Sequence, residues 1–250
     1  MKDTRRDFER IYRRMQSFVT PTLQGSQLAY EQILVDRVNP DWAWLDLGCG
    51  RQVLPEWRAA EERRLIEKCR ITVGIDYDLS SLQKHESISL RVRGDITQLP
   101  FKDACFDLVT ANMVVEHLNN PAQQFVEIRR ILNPGGLFIF HTPNAHGYFS
   151  MIRRVTPRGL KNPLVRLLDG RKEEDAFDVY YRANTKGKIA ALSKAAGMEV
   201  VEISMLVTDA VFEIIPPLAF VELIWIRGLM TKRLESIRTN IVAILKKPAR

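Results

Sequence analysis

The sequence predicts an α/β fold in which helices alternate with the strands of a parallel, doubly wound sheet. Short apolar runs, such as Trp42–Leu47 and Leu137–His141, alternate with longer segments whose apolar residues recur at helical spacing. Turn residues separate the two kinds of segment, as Asn39 and Pro40 do. This alternation is typical of parallel sheets covered by helices on both faces.

Each element follows from its local pattern. The residues before Asn39 are helical because apolar residues recur three and four positions apart until Pro40 ends the pattern. Ile71–Ile75 is a β-branched run, which favours a strand, and Gly197 suits the left-handed backbone that closes a helix. Strands are predicted at 42–47, 71–75, 90–93, 106–112, 137–141, 198–206 and 238–245, helices at 61–69, 80–85, 121–132 and 185–196, and a turn at 133–136.

Composition and charge limit the classes of protein that fit. Of the 250 residues, 46% are hydrophobic and 27% are charged, which is ordinary for a globular chain. Cys49, Cys69 and Cys105 are too widely spaced for a disulfide framework or a zinc site, so we expect reduced thiols and a cytoplasmic protein. The charged start of the chain predicts no signal peptide, and the apolar run 214–226 is too short to span a bilayer.

The net charge of +7 admits an anionic partner, either nucleic acid or an anionic membrane surface. The basic residues are spread over the start, middle and end of the chain, and no RNA-binding signature accompanies them. Solvated helix faces are the simpler interpretation. Nucleic acid is therefore not the expected partner.

The polar residues of most interest follow the ends of predicted strands, where open α/β sheets bind ligands. Gly48 and Gly50 follow the first strand, where glycine lets the backbone turn sharply and approach a ligand. Asp46 directly precedes them. Asp76 closes the second strand, where a carboxylate can accept both hydroxyls of a ribose, and Asp95 closes the third, where it can accept from an adenine amine.

Four motifs resemble those of class I S-adenosylmethionine (SAM) dependent methyltransferases of the type 11 kind. WLDLGCGR at 44–51 resembles the glycine-rich first motif, and GIDYD at 74–78 resembles the acidic motif of the second strand. GDITQLPF at 94–101 with the following FDLVTANMVVEHL is similar to the adenine-site and fourth-strand motifs, and LNPGGLFIFHTPN at 132–144 to the fifth strand. Four motifs in this order are a strong signal, whereas one alone would be weak.

The resemblance implies a Rossmann-like, seven-stranded, mostly parallel sheet with helices on both faces and a cap formed by two insertions. Residues 1–39 would be an N-terminal helical segment. Residues 40–250 would be the methyltransferase domain, with the insertions at 144–184 and 207–237. Because the strands before both insertions would be parallel, we expect the insertions to meet over the active site and to carry acceptor specificity.

The resemblance also implies a SAM site, with S-adenosylhomocysteine (SAH) as the product. Gly48 and Gly50 would line the methionine moiety, and Asp46 would help to hold its amino group. Asp76 would bind the ribose, and Asp95 would meet the adenine. The predicted set also includes Cys49, Tyr77, Ile96 beside the adenine, and Asn112 and Met113 close to the sulfonium.

A dinucleotide site is the rival interpretation of the glycine loop. A dinucleotide site needs a third glycine, and this loop has Gln52 in its place. The methyltransferase family usually has a glycine at the position of Gln52 as well. An acid directly before the glycines is also unfavourable next to a phosphate, whereas it suits a cationic amino acid moiety. The sequence therefore favours SAM, and the loop departs from the family pattern at Gln52.

A general base would assist methyl transfer if the acceptor is a hydroxyl, although SAM mainly needs an aligned acceptor. His141 and His117 are the candidates, and each has a structural alternative, a hydrogen-bonded histidine or a polar cap. Tyr180, Tyr181 and Arg182 are candidate substrate contacts.

The Glu116-His117 pair resembles the Glu-x-x-Glu-His metal site of quinone-pathway O-methyltransferases. Met113 stands where the first glutamate of that site would be. We therefore predict no metal.

The two insertions differ in composition, which bears on the acceptor. The first is basic and the second is apolar, so an acceptor with an acidic head and an apolar tail would suit both. We expect a small or lipid-linked acceptor, with a peripheral contact to the inner face of the membrane as an option, through an amphipathic helix flanked by Lys232 and Arg233. Alternatively, the apolar residues simply bury the cap on the domain.

Two further hypotheses remain open from the sequence. An RNA methyltransferase would keep the cofactor and change the acceptor, and the positive charge favours it. A non-catalytic partner protein with the same fold is the other, although a scaffold need not keep Asp76. The sequence predicts no oligomeric state.

Overall fold

A computed structural model describes residues 2–155, 178–212 and 215–249 of the chain. Seven strands form one open sheet in the order β3-β2-β1-β4-β5-β7-β6. The strands are β1 (Ala43–Leu47), β2 (Ile71–Asp76), β3 (Leu90–Arg93), β4 (Phe106–Asn112), β5 (Leu132–Pro143), β6 (Glu199–Leu206) and β7 (Asn240–Lys246).

The sheet is parallel from β3 through β5, because β2 pairs parallel with β3 and β1, and β4 with β1 and β5. β7 runs the other way. Backbone hydrogen bonds join Gly135 at the start of β5 to Lys247 after β7, and Asn144 after β5 to Thr239 before β7. The predicted seven-stranded, mostly parallel sheet is confirmed.

The helices follow the predicted alternation, and the described residues add one helix in each of the two long insertions. They are α1 (Lys2–Val19), α2 (Ser26–Arg37), α3 (Ala59–Lys68), α4 (Leu79–Gln83), α5 (Pro121–Ile131), α6 (Tyr148–Val155), α7 (Lys186–Ala195) and α8 (Pro216–Leu229). Short 3₁₀ helices cover Glu56–Arg58, Val115–His117 and Lys232–Ile237. Among the described helices, none is both long and apolar enough to cross a membrane.

The turn predicted at 133–136 is wrong, because β5 already begins at Leu132. Gly135 donates its N–H to the carbonyl of Lys247 at 2.9 Å, and Lys247 donates back to Gly136 at 2.9 Å. These two bonds extend the β5–β7 ladder over the glycines. Gly135 has a φ of +82°, a conformation that glycine adopts without strain.

The chain divides into two compact units. The sheet unit comprises residues 27–143, 179–204 and 241–250, and the helical unit comprises residues 1–26, 144–178 and 205–240. The predicted N-terminal segment 1–39 is therefore split between the units after Ser26. The split follows from packing in the sheet unit, where Tyr30 and Leu34 of α2 are fully buried.

Both long insertions contribute to the helical unit. Residues 144–178 and 205–240 join residues 1–26 around a core that includes Tyr12, Val19, Leu223 and Ile226. Most of the predicted basic segment lies outside the described residues, namely Arg158, Lys161, Arg166, Arg171 and Lys172.

An aromatic cluster fills the sheet unit between α5 and β5. Phe125 is fully buried, and its ring meets Phe138 edge-on at a centroid distance of 5.8 Å and Phe140 at 6.1 Å. Val126, the next residue on the helix, points outward and is 53% exposed. The helix thus turns one apolar side chain into the core and the next into solvent.

We expect Phe125→Ala to lower the free energy of unfolding by about 3–5 kcal/mol, because it leaves a cavity beside two other rings. Val126→Ala is the matched control and should cost less than about 0.5 kcal/mol, since its side chain is exposed. Urea unfolding followed by circular dichroism measures both. Equal losses in the two variants would contradict the packing described here.

Candidate functional site

The glycine loop after β1 is held against the end of β2. Gly48 and Gly50 have φ angles of +62° and +53°. Gly48 and Cys49 both donate their N–H groups to the carbonyl of Ile75, at 2.8 and 3.2 Å. A Cβ on Gly48 would lie 2.5 Å from Cγ2 of Val114, so this position needs glycine for both conformation and space.

Asp76 ties the loop to β2 through its side chain. One carboxylate oxygen accepts the N–H of Gly50 at 2.8 Å, and the other accepts the N–H of Asp78 at 2.8 Å. A carboxylate oxygen has two acceptor sites, so each oxygen of Asp76 keeps one for a hydroxyl donor. Asp76 and both glycines are only partly buried, so a ligand can reach them.

Asp95 and Tyr77 lie near the same edge of the sheet. The N–H of Gly94 donates to the carbonyl of Asp76 at 3.0 Å, which brings the end of β3 to the end of β2. Asp95 is exposed and accepts the N–H of Thr97 at 2.8 Å, while Ile96 is half-buried. Tyr77 is 64% exposed.

Asp46 lies in the core of the sheet and not on its surface. It is 2% exposed and accepts a hydrogen bond from Thr110 at 2.5 Å, and Thr110 in turn accepts from the indole of Trp44 at 2.7 Å. Burial raises the pKa of Asp46 to about 7. The Thr110 bond opposes this rise, and the carboxylates of Glu62 and Asp76 add to it.

Residues 45–140 match a family described as a methyltransferase domain. An S-adenosylmethionine-dependent methyltransferase of Mycolicibacterium smegmatis is 35% identical over 104 residues, which cover 40% of this chain and 37% of the relative. A demethylmenaquinone methyltransferase of Lactiplantibacillus plantarum is 33% identical over 104 residues, covering 38% and 42%. A malonyl-[acyl-carrier protein] O-methyltransferase of Nitrosospira multiformis is 49% identical over 51 residues, covering 20% and 17%.

Residues 45–140 thus carry the sequence of a methyltransferase domain and are similar to SAM-dependent methyltransferases. The matched segments span less than half the length of each of these curated relatives. A solved structure from Bacillus halodurans, also described as a methyltransferase, has the same fold, with a TM-score of 0.57 at 18% identity over 89% of this chain and 98% of that chain.

The methyltransferase domain offers SAM a fitting set of groups. A Cβ on Gly50 would meet nothing within 4 Å, so the loop presents open space at its tip. The spare acceptor sites of Asp76 are of the kind that the hydroxyl groups of a ribose can use. Gln52 does not need to be glycine, because within the described residues the non-glycine positions with positive φ are Ala104, Met113 and Tyr181.

His141 is held inside the methyltransferase domain by two neighbours. Its Nδ1 lies 2.9 Å from Oδ1 of Asn112, and its ring stacks on Tyr30 at a centroid distance of 5.6 Å. The Asn112 amide donates to Gln27 at 3.3 Å and to the Val53 carbonyl at 3.4 Å, so its oxygen faces His141. With the Asn112 amide in this orientation, His141 donates from Nδ1 to the Asn112 oxygen. Burial lowers the pKa of His141 to about 4.

Met113 has a strained backbone at the end of β4. Its φ is +58°, which is unusual for a residue with a Cβ, and its N–H donates to the carbonyl of His141 at 2.8 Å. Strain of this kind concentrates at ligand sites. His117 is half-buried in the following 3₁₀ helix. Within the described part of the chain, no group of three or more His, Cys, Asp or Glu residues is arranged to hold a metal ion.

Glu116 organises the segment that contains the predicted substrate residues. Its carbonyl accepts the N–H groups of Tyr180 and Tyr181 at 2.8 and 3.3 Å, and Tyr181 has a φ of +53°. Tyr180 is 41% exposed, with the Arg182 guanidinium 5.2 Å from its ring centre, while Tyr181 is buried. The structure thus brings Tyr180–Arg182 to the segment that follows β4.

A buried polar network at this place was missed by the sequence analysis. Thr142 donates to the carboxylate of Glu116 at 2.9 Å, and Asn184 donates to Thr142 at 2.6 Å and to the Pro143 carbonyl at 3.0 Å. Thr142 and Asn184 are completely buried. The polar residues at 142 and 184, beside a strand end and a helix start, were the available signal.

We expect Asp46→Asn to change how stability depends on pH. The Asp46 carboxyl ionises near 3.8 in the unfolded chain but near 7 in the folded protein. The wild type therefore loses stability as pH rises between those values, by up to about 1.4 kcal/mol per pH unit. Asparagine does not titrate and can still accept from Thr110, so the variant lacks this contribution.

Urea unfolding of both proteins at a series of pH values across that window measures the difference. Asp36→Asn, at an exposed position on α2, is the control and should leave the wild-type slope unchanged. Parallel slopes for Asp46→Asn and the wild type would contradict the raised pKa.

Proposed function

We propose that this chain transfers the methyl group of SAM to a hydroxyl oxygen of a small or lipid-linked acceptor. The observation that carries the proposal is the junction of the glycine loop with Asp76, where accessible backbone and a carboxylate with spare acceptor sites lie at neighbouring strand ends. SAM supplies an activated methyl group when it is bound. The chain itself needs to hold the cofactor and align the acceptor.

Each predicted cofactor residue has a proposed role. Gly48, Cys49 and Gly50 bound the methionine end, and Asp76 accepts from the ribose hydroxyls. Asp95, Ile96 and Tyr77 surround the adenine, and Asn112 and Met113 lie near the reacting carbon. Asp46 acts from the core on the amino group: a nearby ammonium would favour the ionised carboxylate and so offset its burial.

His141 is the proposed base for a hydroxyl acceptor. The Asn112 bond places the proton on Nδ1, which leaves Nε2 as the acceptor atom of the ring. Because burial lowers its pKa to about 4, the ring is neutral at pH 7, which is the form that a general base needs. His117 is the alternative base, and Tyr180, Tyr181 and Arg182 would contact the acceptor.

The acceptor class is inferred from relatives and from composition. One similar protein is named for demethylmenaquinone and another for O-methylation of malonyl-[acyl-carrier protein]. Helix α8 supplies a largely apolar segment beside basic residues. These features support a lipid-linked acceptor, met at the inner face of the membrane by a cytoplasmic protein. An RNA acceptor and a non-catalytic scaffold are the competing proposals.

Calorimetric titration with SAH tests the cofactor site. We expect the wild type to bind and Asp76→Ala to lose affinity by about 100-fold or more, because two hydrogen bonds to a charged group disappear. Asp36→Ala, which changes an exposed carboxylate on α2, should bind as the wild type does. If the wild type fails to bind SAH, the proposed function is wrong in this form.

Incubation with methyl-labelled SAM separates the acceptor classes. We expect label in the lipid fraction of a membrane extract, not in RNA or in water-soluble metabolites. His141→Gln should lower the labelling rate by about 100-fold while SAH affinity is retained, as expected for a base. Label in RNA would favour the nucleic acid proposal, and SAH binding without labelling of any fraction would favour a scaffold.

A further inference from the structure

Helix α8 of the helical unit is apolar on all sides. Its inner side, formed by Ala219, Leu223, Ile226 and Leu229, is completely buried and belongs to the core of that unit. A helix that is apolar all round normally has protein or lipid on every side. Burial in the core therefore explains the apolar residues on the inner side of α8 but not those on its other side.

The other side of α8 is exposed. We call it the outer face, and it consists of Leu218 (47% exposed), Phe220 (44%), Val221 (64%), Ile224 (52%) and Trp225 (43%). At about 3.6 residues per turn these five positions fall within one half of the helix circumference, so they share one continuous side of the helix. A surface with five large apolar side chains in a row is a binding surface in most soluble proteins.

The single acid of α8 does not interrupt the outer face. Glu222 is 5% exposed, and its carboxylate accepts bonds from the Tyr148 hydroxyl at 2.5 Å and from the N–H groups of Val211 and Phe212 at 3.0 and 2.9 Å. These three hydrogen bonds hold the Glu222 carboxylate on the inner side of the helix. The outer face is thus free of acidic side chains contributed by its own helix.

The exposed side chains of the helical unit that carries the outer face are mainly cationic. Arg227 is exposed at the end of α8 and donates to the Val19 carbonyl at 3.3 Å, which places the end of α1 beside it. Phe18, 83% exposed, lines the same surface hollow as Arg227. Among the described side chains of the helical unit, the exposed acids are Asp178 and Asp209, against the exposed cations Arg10, Arg13, Arg14, Arg154, Arg227, Lys232 and Arg233.

We propose that the outer face of α8 docks the chain on an anionic membrane surface. The five apolar side chains enter the interface between headgroups and acyl chains, with Phe220 and Trp225 at the depth that aromatic rings prefer. Exposed cations of the helical unit, with Arg227 at the end of α8 among them, contact the anionic headgroups. The docking surface is argued without the proposed function. Only its role, which is access to a lipid-linked acceptor, rests on that function.

Charge also separates this occupant from a second copy of the chain. Two copies paired through their outer faces would bring two helical units with the same excess of exposed cations together. Like charges across an interface oppose association. An anionic lipid surface has the charge opposite to that of the helical unit. It is also fluid, so it does not need a shape complementary to the outer face.

Sedimentation of the full chain with vesicles tests the proposal. We expect the protein to pellet with vesicles that contain phosphatidylglycerol and to stay largely in solution with phosphatidylcholine alone. Association should weaken as salt rises, because exposed charges are screened. Tryptophan fluorescence should shift to the blue on binding, and Trp225→Phe should lose that shift while it still pellets.

Val221→Glu combined with Ile224→Glu should reduce vesicle association by about tenfold or more, since it places two charges in the apolar face. Val126→Glu is the matched control, because Val126 is equally exposed on α5 of the sheet unit, and it should bind as the wild type does. Lys232→Gln combined with Arg233→Gln should reduce the preference for anionic vesicles. Circular dichroism and SAH titration on each variant show that it is folded.

Three results would overturn the inference: wild-type protein that stays in solution with every vesicle, a double glutamate variant that binds as Val126→Glu does, or self-association that the same double variant abolishes. The last result would assign the outer face to a second copy. Vesicle binding without SAH binding would remove the proposed function and leave the docking surface, and the reverse result would remove only the docking surface.

Discussion

The contact between the glycine loop and the end of β2 is the constraint on which the rest of the site depends. The register of the two strands places Leu47 beside Ile75, so the loop leaves β1 next to the end of β2. The Ile75 carbonyl and the Asp76 carboxylate then accept hydrogen bonds from three N–H groups of the loop. The carboxylate that is proposed to bind a ribose is therefore also the group that fixes the loop, so the loop and the proposed ribose contact depend on one side chain.

Burial sets the charge of the groups behind this loop. It raises the pKa of Asp46 and lowers that of His141, and in both cases the neutral form is favoured. At neutral pH the histidine is uncharged and the carboxyl is near its midpoint. A cationic ligand group nearby would shift Asp46 toward the ionised form, so cofactor binding and proton release from Asp46 are linked.

The glycine loop and its junction with β2 could be predicted because backbone geometry demands particular residues there. Gly48 needs glycine for its conformation and its contact with Val114, and Asp76 needs a carboxylate at a strand end. These requirements are local and leave a local pattern. The turn predicted at 133–136 was wrong because the glycines pair with Lys247, a partner far along the chain that no local pattern reveals.

The burial of Asp46 and the Glu116, Thr142 and Asn184 network depend in the same way on distant partners. A prediction from strand ends places these residues near the site, but it does not say which of them face a ligand and which face the core. The separate packing of α1 and α2 is another such case, because both have helical patterns and only tertiary contacts assign Tyr30 to the sheet unit.

Helix α8 is a further case in which the local sequence does not reveal which side chains are buried. Its sequence reveals an apolar segment, and an apolar segment is expected to be buried. Whether the second side of the helix is covered depends on the residues that pack around it, and here the core uses only the side of Leu223 and Ile226. The buried Glu222 fixes that orientation, because its carboxylate is bonded to three groups of the helical unit and would lose them if the helix turned. The exposure of Val221 and Ile224 is thus a consequence of how the core is satisfied, and it is the kind of surface that only a partner or a lipid interface would bury.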